Sequence, residues 1–280
     1  MDARLIVGEG FPPIWLGTTV APDRPYEVAS ARLRDASVIL TTMGGDTIRY
    51  SDSGIYPYQP VGYTPGVARV EPLTTYRLHV RAPDGRVVTA ETTTPDTFHV
   101  REWLLVDDRT LEVRRRLAVP EFPEEVLAYD SVYSSNRLVY QDGLVEARFD
   151  RDGSMAFQMA LFSLDDNSPL LIDADFLSEA DKASLERQSA SPPLDAPDGF
   201  VRLPWLAVWY EGRHRFVVYS VDRNWYDLAR SINFYAPAGL GFGSNAGDEF
   251  QRPIFHVNGG IGIFGSAAMD WTGFTVFPRP

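Results

Sequence analysis

Cysteine is absent from this chain of 280 residues, and lysine nearly so: Lys182 stands alone among 26 basic side chains. Without thiols the chain has no disulfide, thiolate metal centre or cysteine nucleophile. Long apolar runs are missing too. The longest, Pro204-Trp-Leu-Ala-Val-Trp-Tyr210, has the length of a strand and falls short of the ~18 residues a membrane-spanning helix needs. The four histidines, His79, His99, His214 and His256, are scattered. None has the H-x-x-x-H or H-E-x-x-H spacing that puts two ligands on one helical face, so a helix-borne zinc site is unsupported. Nor does a G-x-S-x-G turn expose a serine nucleophile. Positive charge is in the minority: 38 acidic residues leave a net charge of −12. Nucleic-acid binding needs the opposite balance, so no nucleic-acid partner is expected.

What the chain does have is short strands. Ser37-Val-Ile-Leu-Thr41 and Thr47-Ile-Arg-Tyr50 flank Gly44-Gly45-Asp46, a hairpin signal. Tyr76-Arg-Leu78-His-Val80 alternates apolar and polar, turns at Pro83-Asp84-Gly85, and resumes in Arg86-Val-Val-Thr-Ala-Glu-Thr92. This spacing predicts a mainly β protein whose residues 1–96 form an immunoglobulin- or transthyretin-like β-sandwich, able to fold alone. Residues 97–280 read as a second β-rich domain. In it, Leu144–Phe149 is expected to pair with 155–162 as a hairpin across Asp150-Arg-Asp152-Gly153. Two short helices are predicted. One, near 178–188, opens on the capping-box-like Ser178-Glu-Ala-Asp181. The other, near 223–234, follows Asp222 and places Trp225, Leu228, Ala229 and Ile232 on one face.

Two motifs suggest bound groups, and each has a plainer reading. Asp150-x-Asp152-Gly153 resembles the start of a calcium loop, yet the twelfth position, where such a loop needs Glu, holds Leu161. A turn is the simpler interpretation, with Asp150 and Asp152 left as weak surface calcium candidates. Gly260-Ile-Gly262-Ile-Phe-Gly265 spells G-x-G-x-x-G, the dinucleotide fingerprint. That motif works only where a helix follows and points its N-terminus at the pyrophosphate. Here Phe274, Val276 and Phe277 mark a strand, so the glycines are expected to serve close backbone packing, with no nucleotide or other cofactor.

The same stretch carries a resemblance. The N-terminal "LIVGEGF", the "YRLHVRAPDGRVVTAETTTP" hairpin, the helix "VDRNWYDLARS" and the closing "RPIFHVNGGIGIFGSAA" occur in an order resembling a family of bacterial surface lipoproteins catalogued as domain of unknown function 4249. The family's closing signature is matched by Asn258, Gly259, Gly260, Gly262, Phe264 and Gly265. The resemblance implies an outer-membrane, cell-surface protein attached through a lipid-bearing cysteine ahead of the first strand. That cysteine and its leader would lie upstream of Met1. It also implies a TonB-dependent outer-membrane transporter as neighbour and possible partner, and it supplies no catalytic residues.

For binding, the most suggestive stretch is "SGIYPYQPVGYTPG", residues 53–66, where Tyr56, Tyr58 and Tyr63 alternate with prolines. Tyrosine gives large contact area at low entropy cost, and proline stiffens a loop before it meets a partner. Two readings stand: a recognition loop with partly exposed tyrosines, or a loop whose tyrosines fold back over the sandwich edge. The expected function is therefore a non-enzymatic surface lipoprotein that binds a ligand or an outer-membrane partner. The alternatives are a carbohydrate-active or other hydrolase using a carboxylate pair, and a structural or adhesive envelope module.

Overall fold

The structure, a computed structural model, describes the chain apart from residues 22, 24, 26, 53, 55–56, 63–67, 123–128, 152, 173–177, 179–184 and 232–252. In order, the described elements begin with β1 (Asp2–Ile6), α1 (Val28–Ala31), β2 (Ser37–Thr42), β3 (Thr47–Ser51), β4 (Gln59–Val61), β5 (Thr75–Arg81) and β6 (Val87–Thr93). Then come β7 (Val100–Val106), β8 (Val113–Arg116), α2 (Val132–Ser135), β9 (Arg137–Val139), β10 (Leu144–Phe149) and β11 (Ala156–Ser163). The chain continues with β12 (Gln188–Ala190), β13 (Phe200–Leu203), β14 (Gly212–Val221), α3 (Arg223–Ser231), β15 (Val257–Asn258) and β16 (Ile263–Phe277). The protein is mainly β.

It divides into two compact units, and the division corrects the domain limits read from the sequence. One boundary lies between Thr97 and Phe98, one residue past the limit of 96 read from the sequence. However, Val221–Ala268 returns to the first unit, and the second consists of Phe98–Ser220 with Met269–Pro280. Residues 97–280 are therefore not one domain. The sequence pattern could not show this, because the return depends on pairings across more than 160 residues: β1 lies parallel to Ile263–Ala267, and β15 pairs with β6.

In the first unit the sheet order is β15-β6-β5-β2-β3-β4. The predicted hairpins form as β2–β3 and β5–β6. Along β5, Tyr76, Leu78 and Val80 are buried and Arg77, His79 and Arg81 exposed, the period of two that a half-buried strand dictates. These side chains share a core with Ala3 and Leu5 of β1, Ile14, Leu16, Tyr58 and Phe264 of β16, which covers the sheet in the manner of a sandwich. The predicted helix near 223 is present as α3, ending its described span at Ser231, with Trp225 and Leu228 buried. Asp222 caps it by accepting from the Trp225 N–H at 2.9 Å, one of the donors a helix start leaves unpaired.

In the second unit, a four-stranded sheet of order β13-β10-β7-β8 packs against β16, β14, β11 and β12, which follow one another in a second layer. The layers meet through aromatic side chains: Phe149 against Phe157 at 4.3 Å and Trp103 against Phe216 at 5.5 Å between ring centroids. The expected β10–β11 hairpin is absent. β10 pairs with β7 and β13, and β11 with β12, so the turn at Gly153, where φ is 70°, carries the chain from one layer to the other. Both strands bury most of their residues, and such strands can join different sheets as readily as pair with each other. The apolar run at 204–210 is not a strand either. Pro204 starts a 3₁₀ turn over Trp205–Ala207, closed by the Ala207 N–H to the Pro204 carbonyl at 3.0 Å. The helix expected near 178–188 lies largely outside the described residues, and Gln188 already belongs to β12.

Candidate functional site

The tyrosine loop does not present itself as read. Tyr58 is completely buried. Its hydroxyl donates to the Leu33 carbonyl at 3.1 Å and accepts from the Ala36 N–H at 2.9 Å. Its backbone also exchanges two hydrogen bonds with Ile14. A phenol needs such partners when removed from water, and these two lie on a segment far away in sequence. Tyr58 is thus a core residue, a correction to its reading as a surface aromatic. Tyr56 and Tyr63 lie outside the described residues. Of the calcium candidates, Asp150 forms an ion pair with Arg101, and Asp152 is outside the described residues. Among the described residues no group of three or more histidine or acidic side chains is placed to hold a metal.

The glycine signature is accounted for by backbone contacts. At Gly259 and Gly262, φ is +79° and +126°, and a Cβ would run into the carbonyl oxygens of Val87 and Met1, respectively. Gly265 lies where a Cβ would come within 3.2 Å of Asp222 Oδ1 and the Trp225 nitrogen. Phe264 is buried in the core, and Asn258 pairs with Thr89 in the sheet. Asn224 at the start of α3 donates to the Phe264 carbonyl at 2.8 Å and the Glu91 carbonyl at 2.7 Å, which ties helix, hairpin and signature together. The glycines lead directly into β16, a strand of 15 residues, and no helix N-terminus follows them. Gly260 differs: a Cβ there would meet side-chain methyls, those of Val88 at 3.2 and 3.3 Å and one of Val257 at 3.7 Å.

A polar concavity lies in the second unit, on the outer face of β13, β10 and β7. It is a groove of about 840 Å³. Period-two alternation builds it: Val145, Ala147 and Phe149 of β10 point inward, leaving Glu146 and Arg148 on the outer face. Register then places Glu146 beside Arg202 of β13, and Arg148 between Glu102 of β7 and Phe200 of β13. A β-bulge contributes Arg101. The pairing of β7 skips from Glu102 opposite Arg148 to Val100 opposite Phe149, so Arg101 is an extra residue and lines the groove along with its neighbour Glu102.

Glu146 is the centre of this arrangement. Its side chain is only 1% exposed. Oε1 accepts from Arg148 Nε and Oε2 from Arg202 Nε, each at 2.6 Å. A buried carboxylate is tolerable only when paired in this way. Outside this core, Glu102 pairs with Arg116 at 2.5 Å and lies 3.9 Å from Arg148. The Arg202 guanidinium lies over the Phe200 ring at 4.4 Å. Gly199 adjoins the groove at φ +71°, where a Cβ would come 2.7 Å from the Phe149 carbonyl oxygen.

Apart from Asp150, which also lines the groove and was read as a calcium candidate, none of these residues was singled out from the sequence. The signal available was the alternation in Val145-Glu-Ala-Arg-Phe149 and Phe200-Val-Arg-Leu203, which shows that Glu146, Arg148 and Arg202 face away from a core. It does not show that they face one another. No family model matches the chain, and no curated protein matches it.

Proposed function

We propose that the protein is a non-enzymatic, surface-exposed binding protein, lipid-anchored at the outer membrane and accessory to a TonB-dependent transporter, which takes a polar ligand in the groove of its second unit. The observation that carries the binding reading is the state of the groove's carboxylates. Glu146 has both oxygens occupied by guanidiniums, Glu102 and Asp150 are each paired with an arginine, and Asp198 at the rim is the one lining carboxylate outside these pairs among the described residues, where a pair would need two. A hydrolase working through a carboxylate pair must offer free carboxyl oxygens to its substrate and to water. Arginines held in place around a concavity suit recognition better. The anchor and transporter parts rest on the resemblance. They are supported by the way its separate stretches meet: β1, the β5–β6 hairpin, the start of α3 and the closing glycines all pack in one unit.

The binding part is tested by titrating ¹⁵N-labelled protein with acidic, neutral and basic oligosaccharides and tripeptides. Shift changes gathered at 101–102, 146–150 and 198–202 are expected for at least one class. Saturable changes confined to other regions would overturn the groove assignment. For the anchor, the native protein should fractionate with membranes and take up labelled fatty acid; recovery from the soluble fraction alone would remove that part.

A further inference from the structure

We infer that the groove's ligand is a hydroxyl-rich monocarboxylate, a uronic acid carried in an oligosaccharide, gripped through its carboxylate by Arg148 and Arg202. This rests on the groove being a binding site.

The argument begins with how the two arginines are held. Among the described residues, each makes its hydrogen bonds through Nε alone, to opposite oxygens of Glu146. A guanidinium carries five N–H donors, so the terminal Nη groups are left as hydrogen-bond donors for a ligand, with Arg148 Nη1 lying 3.9 Å from Glu102 Oε2. Glu146 is sealed inside the sheet face and therefore acts as a fixed pivot. It removes much of the rotamer freedom the arginines would otherwise lose on binding, and it aligns two planar forks. A carboxylate or a phosphate accepts two parallel N–H bonds from such a fork.

Charge narrows the class. Arg148 and Arg202 against Glu146 leave one positive charge at the centre of the groove. Around it, Arg116 offsets Glu102, Arg101 offsets Asp150, and the exposed Asp198 adds a negative charge at the rim. One anionic group is attracted, whereas a phosphate dianion or a polyanion meets Asp198 and a chain of net charge −12. Composition of the lining narrows it again. Apart from Gly199, only Phe149 and Phe200 are uncharged, and Phe149 is buried in the core. A peptide ending in a carboxylate would find little apolar surface for its side chains. Sugar hydroxyls both donate and accept, which suits a lining of alternating guanidinium donors and carboxylate acceptors. The half-buried Phe200 offers a contact for a pyranose C–H face.

The test is calorimetric titration of the intact protein with a trisaccharide of one glucuronate and two glucose residues, maltotriose, inorganic phosphate and a neutral-side-chain tripeptide. The glucuronate trisaccharide is expected to bind saturably, and maltotriose at least about tenfold more weakly. R148K and R202K keep the charge and remove the fork, so each should weaken glucuronate trisaccharide binding about tenfold while the melting temperature stays close to that of the wild type. Should either variant melt far lower, the guanidinium ¹H–¹⁵N resonances of Arg148 and Arg202 in the wild type give a second measurement: the uronate should shift both, and unshifted resonances at saturation would overturn the inference. If maltotriose binds as well as the acid, the groove still binds sugars but the carboxylate inference fails. Preference for phosphate or tripeptide, no binding of the glucuronate trisaccharide, or unchanged binding in folded R148K and R202K would overturn it outright.

Discussion

At the scale of single residues, the clearest lesson comes from two polar side chains in the core. Tyr58 reads from its Tyr/Pro context as an exposed anchor, yet its hydroxyl bridges Leu33 and Ala36. Tyr58→Phe should lower stability by about 1–3 kcal/mol, because the buried Ala36 N–H loses its partner; chemical denaturation measures this, and ligand binding in the groove should not change. His214 is 1% exposed, stacked near Phe274, with Nδ1 donating to the Gly212 carbonyl at 2.9 Å. Burial pushes its pKa down to about 4, opposed in part by that hydrogen bond and by Asp165. In the unfolded chain it titrates near 6.5. Between those values the unfolded chain holds the extra proton, so stability present above pH 6.5 is lost as pH falls toward 4, on the order of 3 kcal/mol. His214→Gln should flatten the drop seen in urea melts between about pH 7 and 4.5. Asp222 and Asp270, whose carboxyls burial pushes up, act in the opposite direction and are common to both proteins. Sequence alone placed neither side chain: alternation tells which way a residue points, not whether a distant segment covers it.

At the scale of elements, local signals proved legible and distant ones did not. The two hairpins of the first unit and the start of α3 follow from turn residues and periodicity within ten or so positions. The β10–β11 error has the opposite origin, since a short turn between two buried strands fits either a hairpin or a change of layer. The groove shares that limit: its three central residues come from strands joined by register, not by proximity in sequence. The glycine signature can be taken apart experimentally. Gly262 sits at φ +126° with the Met1 carbonyl where a Cβ would go, so Gly262→Ala should loosen the β1–β16 pair and cost about 1–3 kcal/mol. Gly260 faces only side-chain methyls, and Gly260→Ala should cost markedly less. Equal losses in thermal melts of the two variants would contradict this account.

At the scale of the molecule, the governing feature is β16, whose 15 residues belong to both units. Its first residues pair with β1, and Phe264 enters the core of the first unit. Further along, Trp271 packs with Val132, Tyr133 and Val217, and Thr275–Phe277 pairs with β9 in the second. The fragment 1–96, which looks self-sufficient in sequence, therefore lacks the partner strand of β1 and part of its own core. It should show no cooperative unfolding transition by circular dichroism. A sharp transition would restore the simpler division into consecutive domains.

The shared strand also sets the order of events at the ribosome. Most proteins of two units can complete the first while the second is still being made. Here the first unit waits for residues 221–268 and the second for 269–277, so both close within the synthesis of a single strand. Until then some 260 residues of strand-rich chain stand with open sheet edges, the condition under which nascent chains recruit holding chaperones.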